Sequence, residues 1–344
     1  MMSVAPDVSR EAAELYRRSD VLDLHVDTFI WTRIWGYDLL ARHGRGLFNA
    51  RFYGQADLPR LRAAGVAGAI WSITTNPLRR ASRRAAVFRR NLARLQAIFA
   101  SAPEAVSLCR NAADYRAARA AGRHAAFIGI QGGNAIDAPG ALSTFDASLL
   151  IKVTLVHLSS STLGRTSAPL GRGADGLTDR GRQLVAELNA QRIFVDLAHI
   201  SRQGFFDAVA VHDRTQPLLV SHTGIAAVHA HWRNVDDEQL RAVADTGGVV
   251  GVMYQSSFLG EPMWSGRADR IVDHWQHIID CVGEDHAALG SDWDGAIITP
   301  RDMATCLELV RLCDLMLRRR WSHARIQKIL GGNFLRALEQ LRPA

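Results

Sequence analysis

The triplet His25-Val26-Asp27 is the first place in the chain where two side chains of chemical interest stand close together. It ends a short apolar run that begins at Val21 and that is typical of a buried strand. In a strand, residues i and i+2 point to the same face, so the imidazole and the carboxylate would project side by side. These groups are ligand types of zinc and similar divalent ions. The triplet therefore indicates one arm of a metal site, provided that other segments supply further ligands.

Short apolar runs recur along the chain, and several of them end at a side chain that can do chemistry. His157, His199 and His222 each follow such a run directly, Asp292 follows the last one, and Gln131 follows the third. The runs predict eight buried strands. They cover residues 21–27, 67–73, 125–130, 149–156, 193–198, 217–221, 248–253 and 287–291.

Helical patterns separate these runs, and the regular alternation predicts an α/β fold with a parallel sheet. Eight units in a chain of 344 residues favour a closed (β/α)8 TIM barrel with additional C-terminal helices over an open doubly wound sheet. The first run is followed by no Gly-x-Gly-x-x-Gly, which argues against dinucleotide binding. No segment has the composition of a linker, so we expect residues 1–344 to form a single domain. Helices are expected near 58–65, 81–101, 111–121, 179–190, 202–211, 236–244, 267–282, 302–318 and 322–340, and residues 28–57 are expected to be irregular.

A barrel brings the carboxyl ends of its strands to one rim, where barrel enzymes carry their sites. Two pairs, His25 with Asp27 and His199 with His222, then form a plausible shell for zinc or a similar ion. Asp292 could act as a general base for the attacking water, as a ligand, or as both. The chemistry indicated is metal-assisted hydrolysis. Lys152 is expected near the beginning of its strand, too far from the rim to bridge two metals as a carbamylated lysine.

Charge and composition exclude several other classes of protein. The net charge of +7 comes almost entirely from arginine, and Lys152 and Lys328 are the only lysines. The arginines cluster only between Arg79 and Arg90, which we interpret as a solvated helix face, with an acidic partner surface as the alternative. No aromatic residues alternate with them, so no nucleic-acid partner is expected. Neither a secretory signal nor an apolar run of membrane-spanning length is present, and the four cysteines show no disulfide or zinc-knuckle spacing, so we expect a cytoplasmic protein without a membrane partner.

The sequence resembles the membrane (renal) dipeptidase family of amidohydrolase-like barrels over nearly its whole length. The opening motif is Asp23-Leu-His25-Val-Asp27, and the further motifs keep the order and the spacing of the family. These segments are 129–133, 155–157, 176–178, 181–182, 196–201, 221–222, 233–236, 290–295 and 332–336.

This resemblance implies a homodimeric hydrolase with a binuclear zinc site that cleaves dipeptides, including those with a D-residue at the C-terminal position. It implies that His25 and Asp27 bind one zinc ion, and that His199 and His222 bind the other. The remaining roles are implied in the same way: His157 stabilises the oxyanion, Arg233 binds the substrate carboxylate and Asp292 is the acid/base. The planar guanidinium group of Arg233 can donate two parallel hydrogen bonds to a carboxylate, and every dipeptide carries a carboxylate.

The third run departs from the family pattern. The family has Gly-x-Glu-Gly-Gly-His, in which the glutamate bridges the two metals, whereas this chain has Gly129-Ile-Gln131-Gly-Gly-Asn134. A glutamine offers one carbonyl oxygen, and its amide nitrogen is a donor. Losing a negative charge between two ions roughly 3.5–4 Å apart is unfavourable at low dielectric. We therefore expect Gln131 to be a weaker ligand, with one zinc bound tightly and a second bound weakly or not at all.

Three functions are compatible with these residues. The first is a dipeptidase, or a related amide hydrolase, with an altered metal site. The second is a hydrolase of a modified peptide or amide. The third is an inactive homologue that keeps the barrel and binds a small carboxylate or a protein. The intact histidines, Arg233 and Asp292 favour the first two, whereas Gln131 favours the last two.

Overall fold

Parallel strands form the centre of the molecule, whose computed structural model describes residues 8–76, 79–169 and 171–343. Within these ranges one sheet contains nine strands. They are β1 (Leu22–Val26), β2 (Gly68–Thr74), β3 (Val106–Leu108), β4 (His124–Gln131), β5 (Leu150–Thr154), β6 (Phe194–Asp196), β7 (Leu219–Thr223), β8 (Val249–Val252) and β9 (Ala287–Leu289).

The sheet closes into a barrel of eight parallel strands. The order is β2-β1-β9-β8-β7-β6-β5-β4, and the ring is completed because β2 also pairs with β4, from Gly68 with Ala125 to Thr74 with Gln131. Every residue of the eight barrel strands is buried, as expected when side chains fill the interior and helices cover the outside. The predicted (β/α)8 TIM barrel is therefore confirmed.

Helices surround the barrel at nearly all of the predicted places. α6 begins after Thr178, whose side chain accepts a hydrogen bond from the backbone N–H of Gly181. The helices are α1 (Arg10–Arg18), α2 (Phe29–Trp35), α3 (Leu58–Ala63), α4 (Ala81–Ala100), α5 (Ala112–Ala120), α6 (Asp179–Ala190), α7 (Arg202–Val211), α8 (Asp237–Ala244), α9 (Asp269–Val282), α10 (Val310–Arg318), α11 (His323–Gln327) and α12 (Asn333–Leu341). In the described part of the chain, none of them is both long and apolar enough to cross a membrane.

Five elements differ from the expectations. No helix was predicted at α1, and α10 begins at Val310 rather than near residue 302. α2 lies inside the stretch 28–57 that was predicted to be irregular, and β3 extends the sheet beside β4, outside the barrel ring. The single helix predicted for 322–340 is interrupted between α11 and α12 by a π-helical turn. The break lies at Gly331, whose backbone is not helical, with φ of 174°. Its backbone passes so close to Asp20 that a Cβ would lie 2.1 Å from the Asp20 carbonyl oxygen.

Candidate functional site

The carboxyl ends of five barrel strands bring the predicted site residues together. His25 lies in β1 and His222 in β7, and Gln131 is the last residue of β4. His199 and Asp292 follow β6 and β9 in left-handed backbone conformations, with φ of 67° and 61°. Such backbone strain in residues other than glycine is typical of functional sites.

Two carboxylates face the imidazole of His25. Its Nε2 atom lies 3.4 Å from Oδ1 of Asp27 and 3.7 Å from Oδ1 of Asp292. His25, His222 and Asp292 each offer a ligand atom, and these atoms all lie within 4.8 Å of one another. The geometry thus places Asp292 close enough to share an ion with the two histidines.

His199, His222 and Gln131 form the opposite side of the site. The two imidazole Nε2 atoms are 2.8 Å apart, and the amide nitrogen of Gln131 lies 3.2 Å from that of His199 and 3.3 Å from that of His222. The Ser221 hydroxyl donates to Asp196 and lies 2.9 Å from Nδ1 of His222. Since that hydroxyl then accepts from His222 Nδ1–H, the lone pair of His222 Nε2 faces the site.

Gln131 is also connected to the carboxylate side of the site. The hydroxyl of Thr74 is 2.7 Å from Oδ1 of Asp27 and 3.1 Å from Oε1 of Gln131. Gln131 therefore lies between the two arms, in the position that a bridging ligand would need. Its amide nitrogen is turned toward the histidines, and this nitrogen has no lone pair for a metal.

Burial keeps the histidines of the site neutral. It lowers the pKa of His199 and of His222 well below the ordinary value, and neighbouring cationic groups add to the effect. Burial likewise lowers the pKa of His25 and takes the pKa of His157 to about 4. Neutral imidazole is the form that binds metal ions.

Asp292 and Arg233 influence each other's charge in the site. Burial, reinforced by Asp27, raises the pKa of Asp292 well above its ordinary value, although Arg233 opposes this shift. Burial lowers the pKa of Arg233 to about 10. Arg233 donates through Nη2 to the backbone oxygen of His222 at 2.5 Å. The remaining guanidinium donors are thereby oriented for a ligand.

The polar atoms of this site fit a metal ion. His25 Nε2, His199 Nδ1 and Asp292 Oδ1 are buried without a hydrogen-bond partner among the described residues. Buried polar atoms are normally satisfied, and nitrogen and carboxylate oxygen form the donor set of zinc. A divalent ion would satisfy His25 Nε2 and Asp292 Oδ1 at the same time.

Lys152 lies beneath the site, which corrects its predicted position near the beginning of its strand. It is the third of the five residues of β5, and its fully buried ammonium forms an ion pair with Asp196 at 2.7 Å. The same Nζ atom lies 2.9 Å from Nδ1 of His25 and 2.9 Å from the hydroxyl of Ser221. This position results from the alternation along β5, which turns Lys152 into the barrel.

Sequence reasoning missed the supporting residues Thr74, Asp196 and Ser221. Asp196 could have been identified, since it stands within the apolar run 193–198 and a buried carboxylate needs a partner. Lys152, within the apolar run 149–156, could have been predicted to be that partner. The hydroxyls gave no such signal, because serine and threonine occur at many strand positions.

A cavity of about 350 Å³ opens above these residues. Its floor includes Asp27, Gln131, His157, His199, Arg233 and Asp292, whereas His25 and His222 lie deeper. Its walls are mainly apolar and include Ile30, Trp31, Leu158, Trp232, Met253 and Phe258. Of the aromatic residues in the segment 28–57, Trp31 lines the cavity, and Trp35 stacks on it with ring centroids 4.6 Å apart.

A second group of metal-type ligands lies on the outside of the barrel. Asp237 of α8 and His277 and Cys281 of α9 each offer a ligand atom within 4.8 Å of the others, and all three are half-buried. His277 Nε2 already contacts Asp237 Oδ1 at 2.8 Å. This group has to be controlled for when the metal content of the protein is measured.

The comparison with protein families decides which group of barrels this is. The family model for membrane dipeptidase (Peptidase family M19) matches residues 9–343. The chain belongs to the membrane dipeptidase family. The resemblance inferred from the motifs is therefore confirmed, and members of this family are metal-dependent hydrolases.

Solved members of the membrane dipeptidase family share the whole fold. The metallopeptidase named dipeptidase AC is 28% identical, with a TM-score of 0.83 over 95% of this chain and 99% of that one. A metallopeptidase from Rhodobacter sphaeroides, solved with a phosphinate mimic of the dipeptide L-Ala-D-Ala, is 26% identical, with a TM-score of 0.83 over 94% and 99%. An uncharacterised Klebsiella pneumoniae protein from the pqqA 5' region is 36% identical over 172 residues, which are 48% of this chain but only 61% of that relative.

Proposed function

We propose that this protein is a metal-dependent dipeptidase-like hydrolase that cleaves a dipeptide or a related amide with a free carboxylate. The observation that carries the proposal is the convergence of His25, Asp27, His199, His222 and Asp292 at and directly beneath the floor of one cavity. The phosphinate dipeptide mimic bound by the Rhodobacter sphaeroides relative supports a dipeptide as the substrate.

The metal ligands in this proposal are His25 and Asp27 on one side and His199 and His222 on the other, with Gln131 between them. A divalent ion held there, such as Zn²⁺, supplies a Lewis acid and lowers the pKa of a water molecule, as hydrolysis of an amide requires. All four proposed ligand side chains are buried, so few water molecules reach them other than through the cavity above.

Three further residues act on the substrate itself. Arg233 binds the substrate carboxylate through the guanidinium donors that the backbone contact leaves available. His157 is neutral, so its ring N–H can donate to the oxygen that becomes negative during attack. Asp292, whose pKa is raised by burial above its ordinary value, takes the proton from the attacking water and passes it to the leaving amine.

The metal site is proposed to be atypical, with one ion bound tightly and a second bound weakly or not at all. Gln131 supports this, because its amide nitrogen rather than an oxygen faces His199 and His222. A carboxylate in that place would bring a negative charge between the two ions, and the amide does not.

The contact between Lys152 and His25 supports the same proposal. An ammonium group only donates, so His25 Nδ1 accepts from Lys152 and the neutral ring carries its proton on Nε2. A metal at Nε2 would require that proton to move to Nδ1, where it would face the ammonium. The arm formed by His25 and Asp27 is therefore the weaker half of the site.

The decisive experiment measures metal content in the wild type and in Gln131→Glu. Both proteins are made in a Cys281→Ser background, which removes the ligand group on α8 and α9, so that wild type here means the native residue at position 131. Both are purified without added zinc. Mass spectrometry is expected to find about one equivalent of metal in the wild type and two in Gln131→Glu. Two equivalents in the wild type would overturn the atypical site.

Activity on L,L- and L,D-dipeptides with Zn²⁺, Mn²⁺ or Co²⁺ separates the alternatives. Hydrolysis by the wild type is expected. If Gln131→Glu is active where the wild type is not, the protein is a binding homologue rather than an enzyme. If neither cleaves a plain dipeptide although both hold metal, the substrate is a modified peptide. The predicted single domain, homodimer and cytoplasmic location remain predictions.

A further inference from the structure

A second cavity, of about 410 Å³, lies between α2, the middle of α4 and the segment that joins β2 to α4. We call it the arginine pocket, because four of its lining residues are Arg33, Arg79, Arg90 and Arg94. Ile30 separates it from the catalytic cavity, since this side chain lines both. Arg79 and Arg90 belong to the arginine cluster that the sequence suggested to be a solvated helix face. In the structure they line the same pocket as Arg33, which comes from α2.

The arginine pocket holds positive charge without a paired carboxylate. Among the described residues, no aspartate or glutamate lines the pocket, and none of its four arginines forms an ion pair. A neighbouring cavity, lined by Arg79, Arg80 and Arg83, extends the same positive surface. Like charges gathered in a concave surface focus the potential and attract anions.

Two of the guanidinium groups are held in place by backbone oxygens. Arg33 donates through Nη1 to the carbonyl of Thr74 at 2.7 Å, and Arg94 donates through Nη2 to the carbonyl of Thr32 at 3.1 Å. Arg33 Nε is buried without a partner among the described residues. Burial lowers the pKa of Arg33; the charge of Asp27 opposes this shift, and the nearby charges of Arg79 and Arg94 add to it. The pocket thus has oriented donors and an electrostatic strain that a bound anion would relieve.

We propose that the arginine pocket binds a small, multiply charged anion that carries phosphate or several carboxylates. Arginine forks recognise both groups bidentately. The pocket is concave, and its other walls are the short side chains of Thr75 and Val87 and the aliphatic Ile34. This shape favours a small molecule over a nucleic acid, which would need aromatic stacking surfaces. The site is distinct from the one that Arg233 provides for the substrate carboxylate, and it does not depend on hydrolytic activity.

Calorimetric titration of the metal-free protein with phosphate, pyrophosphate and citrate tests the proposal. We expect one equivalent to bind, pyrophosphate and citrate to bind more tightly than phosphate, and the affinity to fall as salt is added. Arg79→Gln and Arg90→Gln are each expected to weaken pyrophosphate binding about tenfold, as for the loss of a hydrogen bond to a charged group. Arg233→Gln should leave pyrophosphate binding unchanged, and this result would place the bound anion outside the catalytic cavity.

Arg89→Gln is the matched control, because Arg89 precedes Arg90 on α4, is exposed and does not line the pocket. It should bind pyrophosphate like the wild type. Equal weakening in Arg89→Gln and Arg90→Gln would overturn the pocket in favour of a diffuse charged helix face. The proposal also fails if none of the three anions binds. Binding of an acidic polymer such as heparin instead, abolished by Arg90→Gln, would identify this surface as one for an acidic partner. Each variant's melting temperature is measured first, so that loss of binding is not confused with unfolding.

Discussion

Asp27 is the carboxylate on which the proposed metal site depends most. Gln131 stands at the position between the arms, and Asp292 has a raised pKa, so neither offers a negative charge as readily. The contact with His25 and the hydrogen bond from Thr74 together outweigh the effect of burial and lower the pKa of Asp27. Asp27 therefore remains ionised around neutral pH.

Replacing Asp27 with asparagine is expected to abolish metal binding by the His25 arm while keeping the size of the side chain. Metal content and the dissociation constant for Zn²⁺ measure the effect. Asp213→Asn, on the surface, serves as the control and should behave like the wild type. A zinc titration in which Asp27→Asn still binds the weaker ion with the wild-type affinity would show that the ligands are misassigned.

His124, far from the site at the start of β4, sets part of the pH dependence of stability. Its Nε2 atom accepts from the indole N–H of Trp71 at 3.2 Å and its Nδ1 atom contacts the carbonyl of Val66 at 3.1 Å. Burial lowers the pKa of His124 from 6.5 to about 4. Because the folded pKa is depressed, the stability from the neutral ring is complete above pH 6.5 and is lost as the pH falls toward 4.

We expect the free energy of unfolding to fall by up to about 3 kcal/mol across this range because of His124 alone. His124→Gln should be less stable at pH 7 but should lose less stability on acidification than the wild type. Urea unfolding at several pH values measures both effects. His323→Gln, at an exposed position, is the comparison. Parallel pH profiles for His124→Gln and the wild type would contradict the assignment.

At the scale of elements, α6 connects the loop after β5 to β6 and depends on its N-cap. The hydroxyl of Thr178 accepts from Gly181 N–H at 3.0 Å and donates to the carbonyl of Thr162 at 2.6 Å. The cap thus fixes both the helix start and the loop that follows Leu158, which lines the catalytic cavity.

Thr178→Ala is expected to lower the free energy of unfolding by about 1–2 kcal/mol, as for other lost N-caps. Thr178→Ser, which keeps the hydroxyl, should recover most of it. Thermal or chemical denaturation of the three proteins provides the test. Equal losses in both variants would mean that the methyl group rather than the hydrogen bonds matters.

The barrel was predictable from the sequence because its strands are apolar runs bounded by turn residues, as at 125–130 and 248–253. β3 was not, because a strand of three residues, two of them half-buried, has too short a pattern. α2 was missed because it is a helix of only seven residues, within a long segment that contains glycines at 36, 44, 46 and 54. The position of Lys152 was missed because strand boundaries are uncertain by a few residues, and one residue decides which face a side chain takes.

The ligands of the site were predictable to the level of strand ends, but their contacts were not. Gln131 could be identified as a departure, whereas the direction of its amide nitrogen toward His199 and His222 depends on three strands at once. The arginine pocket could not be predicted, since Arg33 and Arg94 meet only when α2 packs near α4.

At the scale of the whole molecule, closure of the barrel depends on glycines where β7, β8 and β9 approach each other. A Cβ at Gly290 would lie 2.1 Å from the carbonyl oxygen of Ser221, and one at Gly251 would lie 2.2 Å from the same atom. Both neighbours are backbone, which cannot move aside cheaply. These strands carry His222 and precede Asp292, so the same close approach positions the site.

Gly290→Ala is therefore expected to destabilise the barrel by about 1–3 kcal/mol or more, as for other overpacked positions, and to weaken metal binding. Chemical denaturation and zinc titration measure the two effects. Gly44→Ala, where an added Cβ meets no atom within 4 Å, is the control and should change neither. A fully stable Gly290→Ala variant would show that the strands can separate without consequence.

The proposed ligands come from strands at both ends of the sequence, from β1 to the segment after β9. An ion bound to them would act as a non-covalent cross-link of the closed ring, because opening the ring would separate its ligands. Free metal at one hundred times its dissociation constant would add about 2.7 kcal/mol to the folded state. The supply of metal in the cell would then govern how long the protein survives proteolysis, so that its abundance reports metal availability before any change in catalysis is seen.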